Sequence, residues 1–193
     1  MGTSPIPTTY VEHLRTVRNA SPHTLRAVEG DLRDLTLFLA RDGDEADLMA
    51  VDPTKVRAYV ADLAGRVGAR TISRRLSTLR TFYGWSIRQG LREDSPMHGI
   101  INPRHGRPLP EPVPVDVMVA LLKGPPEDRP ADLRDRAILE VLYAAGLRVT
   151  ELVSLNLRDI NMTDGWVRCI GKGSKERIVP LHRKSAERTS TYI

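Results

Sequence analysis

Apolar spacing marks this chain as mainly α-helical with one small antiparallel β-sheet. Through residues 1–92 apolar side chains recur at intervals of three and four, the period of helices that bury one face. From residue 159 onward short β-branched runs alternate with Asp-Gly and Gly-Lys-Gly-Ser turns, the pattern of half-buried strands. A proline-dense stretch lies between, so the 193 residues read as two small domains and a linker.

The first domain, residues 1–94, is expected to hold four helices around a small core. One spans about residues 10–17. The second opens in "SPHTLRAVEG" with Ser21 as N-cap and Pro22 at the first helical position, where its missing N–H is not needed. Leu25, Val28, Leu32, Leu35 and Leu39 give this helix its apolar face, and Gly43 stops it. In "DPTKVRAYVADLAG" Asp52 caps, Pro53 leads and Gly65 closes. The fourth helix, "ARTISRRLSTLRTFYGWSIRQG", carries Ile72, Leu76, Leu79, Tyr83 and Ile87 on one stripe and ends at Gly90.

Residues 95–114 hold Pro96, Pro103, Pro108, Pro110, Pro112 and Pro114, whose fixed φ angles and absent donors exclude a continuing helix or a central strand. This is the expected linker. In the second domain, residues 115–193, "VDVMVALLKG" and "DLRDRAILEVLYAAG" read as helices, the longer one ending at Gly146, and "LRVTELVSL" begins another. The terminal "HRKSAERTSTYI" is polar and offers no clear core-facing pattern.

Lys and Arg total 29 against 24 Asp and Glu, a net charge of +5 that permits a nucleic-acid partner without requiring one. Cys169 is the one cysteine, so neither a disulfide framework nor a multi-cysteine zinc site can form. No stretch approaches the roughly 18 apolar residues of a spanning helix, and "MGTSPIPTTYVEHLRTV" lacks the apolar run of a signal peptide. The expectation is a cytoplasmic protein with no membrane partner.

Charge on the fourth helix is one-sided: Arg66 to Arg92 contains seven arginines and no Asp or Glu. At 100° per residue, Arg70, Arg74, Ser77, Thr81 and Arg88 fall opposite the apolar stripe. Guanidinium forks and hydroxyls both donate to phosphate oxygens, which suits a nucleic-acid backbone. A merely solvated face is the alternative, although most such faces mix charge signs.

"GWVRCIGKGSKERIVPL" tempts a nucleotide-loop reading, but Gly165 precedes Gly171 by one residue too many, and Gly173 occupies the position of the metal-binding hydroxyl. A strand-like run reaching Pro180 follows instead of a helix, so a nucleotide cofactor is not expected. Lys172 is left at the tip of a β-hairpin. In "YAAGLRVTEL", Arg148 follows a helix-ending glycine and stands at the next helix start, with Glu151 three residues on to brace its guanidinium. That arrangement suits a phosphate, and in isolation also a surface ion pair.

Together these segments, in this order, resemble the tyrosine recombinase (phage integrase) family, most closely its Xer-type members, over essentially the whole chain. "SPHTLRAVEGDLRDLTLFL" and "ARTISRRLSTLRTFYGW" look like the helical, SAM-like core-binding domain, and "NPRHGRPLPEPV" like the family's linker. "RDRAILEVLYAAGLRVTELVSLNLRDI" and "VRCIGKGSKERIVPL" are similar to the first catalytic box and hairpin of its mixed α/β catalytic domain. The resemblance implies site-specific recombination and integration of double-stranded DNA through a phosphotyrosine link, without metal or other cofactor, among several recombinase protomers. It implies Arg148 as the first catalytic arginine, neutralising charge on the non-bridging oxygens of the scissile phosphate. Lys172 becomes the general acid for the leaving 5′-oxygen, with Glu151 in support and Lys175 and Arg177 on backbone phosphate. Ala145 stands where many relatives carry Thr or Ser, a small departure.

A larger departure concerns what the family reaction needs beyond these residues. No H-x-L-R segment follows Lys172, and the only later tyrosine is Tyr192, in "RTSTYI" and without the family's context. The second domain therefore reads as the first half of a catalytic domain, DNA-binding but not competent for catalysis alone, with apolar surface left exposed. A non-catalytic DNA-binding remnant, or an interfering partner of an intact recombinase, is the alternative.

Overall fold

Ser21 Oγ accepts the Thr24 N–H at 3.2 Å, and Asp52 Oδ1 accepts the N–H groups of Thr54 and Lys55 at 2.6 and 2.8 Å. These side chains satisfy donors that a helix start leaves open, and with Pro22 and Pro53 they set where two helices begin. The structure is a computed structural model that describes residues 5–42, 46–104, 106, 109, 111–171 and 175–193. The chain divides into two units, Met1–Pro108 and Leu109–Ile193.

The first unit is built from α1 (Pro5–Thr16), α2 (Pro22–Leu39), α3 (Pro53–Ala64) and α4 (Ala69–Arg88), with one 3-10 turn, Ala40–Asp42, after α2. Leu25, Val28, Leu32 and Leu35 of α2 are buried with Val56, Tyr59 and Leu63 of α3 and with Ile72, Leu76, Leu79 and Tyr83 of α4. Tyr10, Phe82 and Trp85 close one end of this core, their ring centroids 5.1 to 6.2 Å apart. Packing extends past the expected boundary at residue 94: Met97 and Ile100 are buried in the same core. Arg80 holds that segment down, donating to the Ile100 carbonyl and to Asn102 Oδ1 at 2.7 and 2.8 Å.

In the second unit, α5 (Val115–Lys123), α6 (Pro130–Ala145) and α7 (Val149–Val153) precede three strands, β1 (Ile160–Asn161), β2 (Trp166–Ile170) and β3 (Glu176–Pro180), and a last helix, α8 (Arg183–Tyr192). The sheet is antiparallel in the order β1-β2-β3, with Val167 opposite both Ile160 and Val179. Val167 and Cys169 point into a core completed by Val141, Ala145, Leu147 and Leu181. Val115, Val117, Val119 and Leu121 of α5 are exposed. No described helix is long and apolar enough to cross a membrane.

The polar end of the chain is a correction to the sequence reading, because it forms α8 and packs on α6. Its buried face is Ser185 and Thr189, so no apolar period announces it. The helix is drawn in by charge: Glu140 of α6 is buried, and Lys184 Nζ, Arg188 Nη1 and His182 Nε2 surround it at 3.1, 3.4 and 3.7 Å. A buried carboxylate is tolerated only with such partners.

Candidate phosphate and nucleic-acid sites

Gly146 ends α6 in the left-handed region at φ 56°, a conformation that an L side chain would disfavour. The turn delivers Arg148 to the N-cap of α7, in extended backbone. Glu151 Oε2 accepts the Arg148 N–H at 2.8 Å, and Oε1 accepts Arg148 Nη1 at 2.7 Å. A second arginine reaches the same carboxylate from β3: Arg177 Nη1 and Nη2 donate to Oε1 and Oε2 at 2.9 and 2.8 Å.

Glu151 is buried beneath these donors while the Arg148 side chain is 64% exposed. The Arg177 hydrogen bonds, then that from the Arg148 backbone, hold the Glu151 carboxyl at about 2, against an ordinary 4.5. Two guanidiniums thus share one carboxylate and keep a net positive charge, with the free edge of Arg148 facing outward. Chemically this cluster can receive a phosphate oxygen and neutralise charge that grows on it.

The hairpin enters the same cluster through Gly171, whose N–H donates to the Lys175 carbonyl at 2.7 Å. A Cβ on Gly171 would stand 3.0 Å from Arg177 Nη1 and 3.5 Å from Glu151 Oε1, so any larger residue here would require the Arg177 guanidinium to give way by a few tenths of an ångström. Lys172 lies outside the described residues. Lys175 is exposed.

On α4 of the first unit Arg70, Arg74, Ser77, Thr81 and Arg88 are all exposed. Their surroundings hold acids that the helix's own sequence does not. Arg74 Nη1 and Nη2 donate to Asp31 Oδ2 and Oδ1 at 2.6 and 2.7 Å, and Thr78 Oγ1 donates to Oδ2 at 2.7 Å. Asp34 accepts from Arg66 twice at 3.1 Å, from Tyr59 Oη at 2.7 Å and from Arg75 Nη1. Arg92 donates to the Met49 and Val51 carbonyls at 2.7 and 2.8 Å. Of the seven arginines, Arg70 and Arg88 alone have no such partner among the described residues. Thr81 Oγ1 donates within its own helix to the Thr78 and Ser77 carbonyls, which leaves its lone pairs outward.

Asp31 and Asp34 were not singled out in the sequence, although a signal existed. Asp31 sits three residues after Val28 and four before Leu35, inside the apolar period of α2, and a carboxylate at a core position demands a cationic partner. Among the described residues no group of His, Cys, Asp and Glu is arranged to hold a metal ion.

Residues 8–90 match the "Phage integrase, N-terminal SAM-like domain" and residues 113–193 match the "Phage integrase family". The chain belongs to the phage integrase family of tyrosine recombinases. Among curated relatives, tyrosine recombinase XerC of Pelobacter propionicus is 42% identical over 182 residues, covering 94% of this chain and 60% of the relative. Tyrosine recombinase XerC of Chromobacterium violaceum is 40% identical over 189 residues, with coverages of 95% and 60%. Tyrosine recombinase XerD of Xanthomonas axonopodis pv. citri is 41% identical over 171 residues, with coverages of 88% and 55%. The chain thus spans about 60% of the length of the XerC relatives it matches. Of solved structures, a lambda integrase(75-356) dimer bound to a COC′ core site aligns with a TM-score of 0.72 at 18% identity, over 99% of this chain and 65% of that one. The XerH pre-cleavage complex with difH aligns at 0.66 and 16% identity, over 97% and 55%. These likenesses show the shared fold.

Proposed function

We propose that this chain binds double-stranded DNA and carries the phosphate-neutralising part of a site-specific recombination site. The observation that carries this reading is the convergence of Arg148 and Arg177 on buried Glu151, with one guanidinium edge left exposed. Structural neighbours bound to DNA, and one lambda integrase solved as a tetramer on a Holliday junction, support duplex DNA and further protomers as partners. In this reading Arg148 meets the non-bridging oxygens of the scissile phosphate. Lys172 supplies the proton to the leaving 5′-oxygen. Glu151 holds Arg148 in place, and Arg177, with both Nη atoms on Glu151, lends its charge from within the cluster. Lys175, with Arg70, Arg74, Ser77, Thr81 and Arg88 of α4, contacts the nucleic acid.

The nucleophilic tyrosine, second arginine and histidines of the family reaction have no counterpart among these 193 residues. Cleavage and rejoining through a phosphotyrosine link would therefore need groups beyond them. A non-catalytic role beside intact protomers is the second reading, favoured by the exposed apolar residues of α5. Two measurements test the proposal. Affinity for a duplex should fall steeply with salt, and a flat dependence would sink the phosphate contacts. A nicked suicide duplex should trap no covalent adduct; an adduct abolished by Tyr192→Phe would make Tyr192 a nucleophile and overturn the division of labour.

A further inference from the structure

Arg74 differs from its neighbours on α4 in how its charge is held. Both Nη atoms are on Asp31, which is itself 3% exposed, while the Arg74 side chain is 49% exposed. One end of the pair is anchored inside the unit and the other stands in solvent. The anchor is fixed in turn: Thr78 Oγ1 donates to Oδ2, and Arg75 Nε lies 3.8 Å from Oδ1.

A guanidinium has five N–H donors. Two are committed to Asp31, which leaves the Nε–H and the outer Nη hydrogens, including a parallel pair along the side-on edge. Because Asp31 cancels the charge of Arg74, the pair releases few counterions and adds little to phosphate attraction. A phosphate drawn to this edge would also meet the Asp31 carboxylate. A neutral, planar partner with two adjacent acceptors suits the oriented fork better, and the O6/N7 edge of guanine is that partner in duplex DNA. Holding the fork beforehand lowers the entropy lost when it binds.

We propose that Asp31 is a positioning residue that fixes Arg74 as a base-reading arginine, selecting guanine in the duplex that the first unit binds. The inference rests on the DNA-binding reading above. Arg70 and Arg88, which lack such an anchor, supply affinity without base choice.

The test is selection from a duplex library with randomised positions, using the full chain and its variants. The wild type should require a G·C pair at one position by roughly five- to a hundredfold. Arg74→Lys keeps a cation beside Asp31, and so the fold, but has no fork; it should lose the requirement. Asp31→Asn should lose it as well, and if that variant does not fold, Thr78→Val should weaken the requirement several-fold. Arg70→Ala should lower affinity while the preferred base stays. A guanine requirement that survives Arg74→Lys overturns the inference, as does one lost in Arg74→Lys but intact in a folded Asp31→Asn or Thr78→Val. Duplex binding with no guanine preference overturns this inference alone, whereas no duplex binding overturns the DNA reading beneath it.

Discussion

Tyr59→Phe removes one buried hydroxyl from the polar network of the first unit. The ring is fully buried, packs on Phe38 with centroids 5.3 Å apart, and keeps nearly all of its volume in the variant, so the cavity term is small. What disappears is the hydrogen bond from Tyr59 Oη to Asp34 Oδ2 at 2.7 Å, together with a long one that Arg75 Nη1 donates to Tyr59 Oη at 3.5 Å. Bonds to a charged group contribute about 1.5–3 kcal/mol. Asp34 keeps its two bonds from Arg66 and its bond from Arg75, so the carboxylate is not orphaned and the lower end applies, about 1.5 kcal/mol. For a unit of this size that lowers the melting temperature by roughly 6–12 °C. Trp85 lies in the first core and Trp166 in the second unit, so a Trp166→Phe background makes Trp85 fluorescence a reporter of the first unit alone. A change in Tm below about 2 °C, well under that range, with the unfolding m-value unchanged, would show that the network joining α2, α3 and α4 does not stabilise the unit as argued.

Three further outcomes follow from the two sites. Glu151 is held at about 2, so its contribution to stability is present above pH 4.5 and lost as pH falls from there toward 2; Glu151→Gln should flatten that part of the acid unfolding curve of the second unit, read by Trp166 in a Trp85→Phe background. Gly171→Ala should shift the Arg177 guanidinium by a few tenths of an ångström, weaken its hold on Glu151 and move that carboxyl up from about 2, and an unmoved carboxyl titration by NMR would count against the close packing of hairpin and helix. Replacing Arg70 and Arg88 together by Ala should reduce the slope of log affinity against log salt by about 1.8, near 0.9 for each phosphate that is no longer neutralised; an unchanged slope would place the DNA elsewhere.

Local chemistry made most of the framework legible. Ser21 and Asp52 cap their helices as side-chain acceptors, and Gly146 takes the positive φ that a helix-ending glycine permits, so these helix ends could be read residue by residue. The Glu151 brace on Arg148 was visible for the same reason, being three residues away on one helix turn. Arg177 was not visible as its partner, because 26 positions separate it from Glu151 and only the strand register opposing Cys169 brings it there. Helix α8 escaped because burial of hydroxyls and a carboxylate anchor leaves no apolar period to find.

In the roles proposed above, Asp31 and Glu151 solve one physical problem in two different units. An arginine that must meet a nucleic acid is costly to order, because its long side chain loses rotamer freedom on binding. A buried carboxylate removes that freedom beforehand, and the exposed guanidinium edge is then presented at a fixed place. The arrangement trades charge for direction: each acid subtracts one unit from the local field that attracts phosphate. In the first unit Asp31 faces one outward arginine, and the charge of Arg75, whose Nε is 3.8 Å from Asp31, is met by Asp34, so the trade leaves direction with little net charge. In the second, one carboxylate serves two arginines, so direction comes with a surplus positive charge. That difference is what a base-reading arginine and a phosphate-neutralising arginine respectively require, and it can be measured with the same charge removed from each: a weak salt dependence for the loss caused by Arg74→Ala and a strong one for Arg148→Ala.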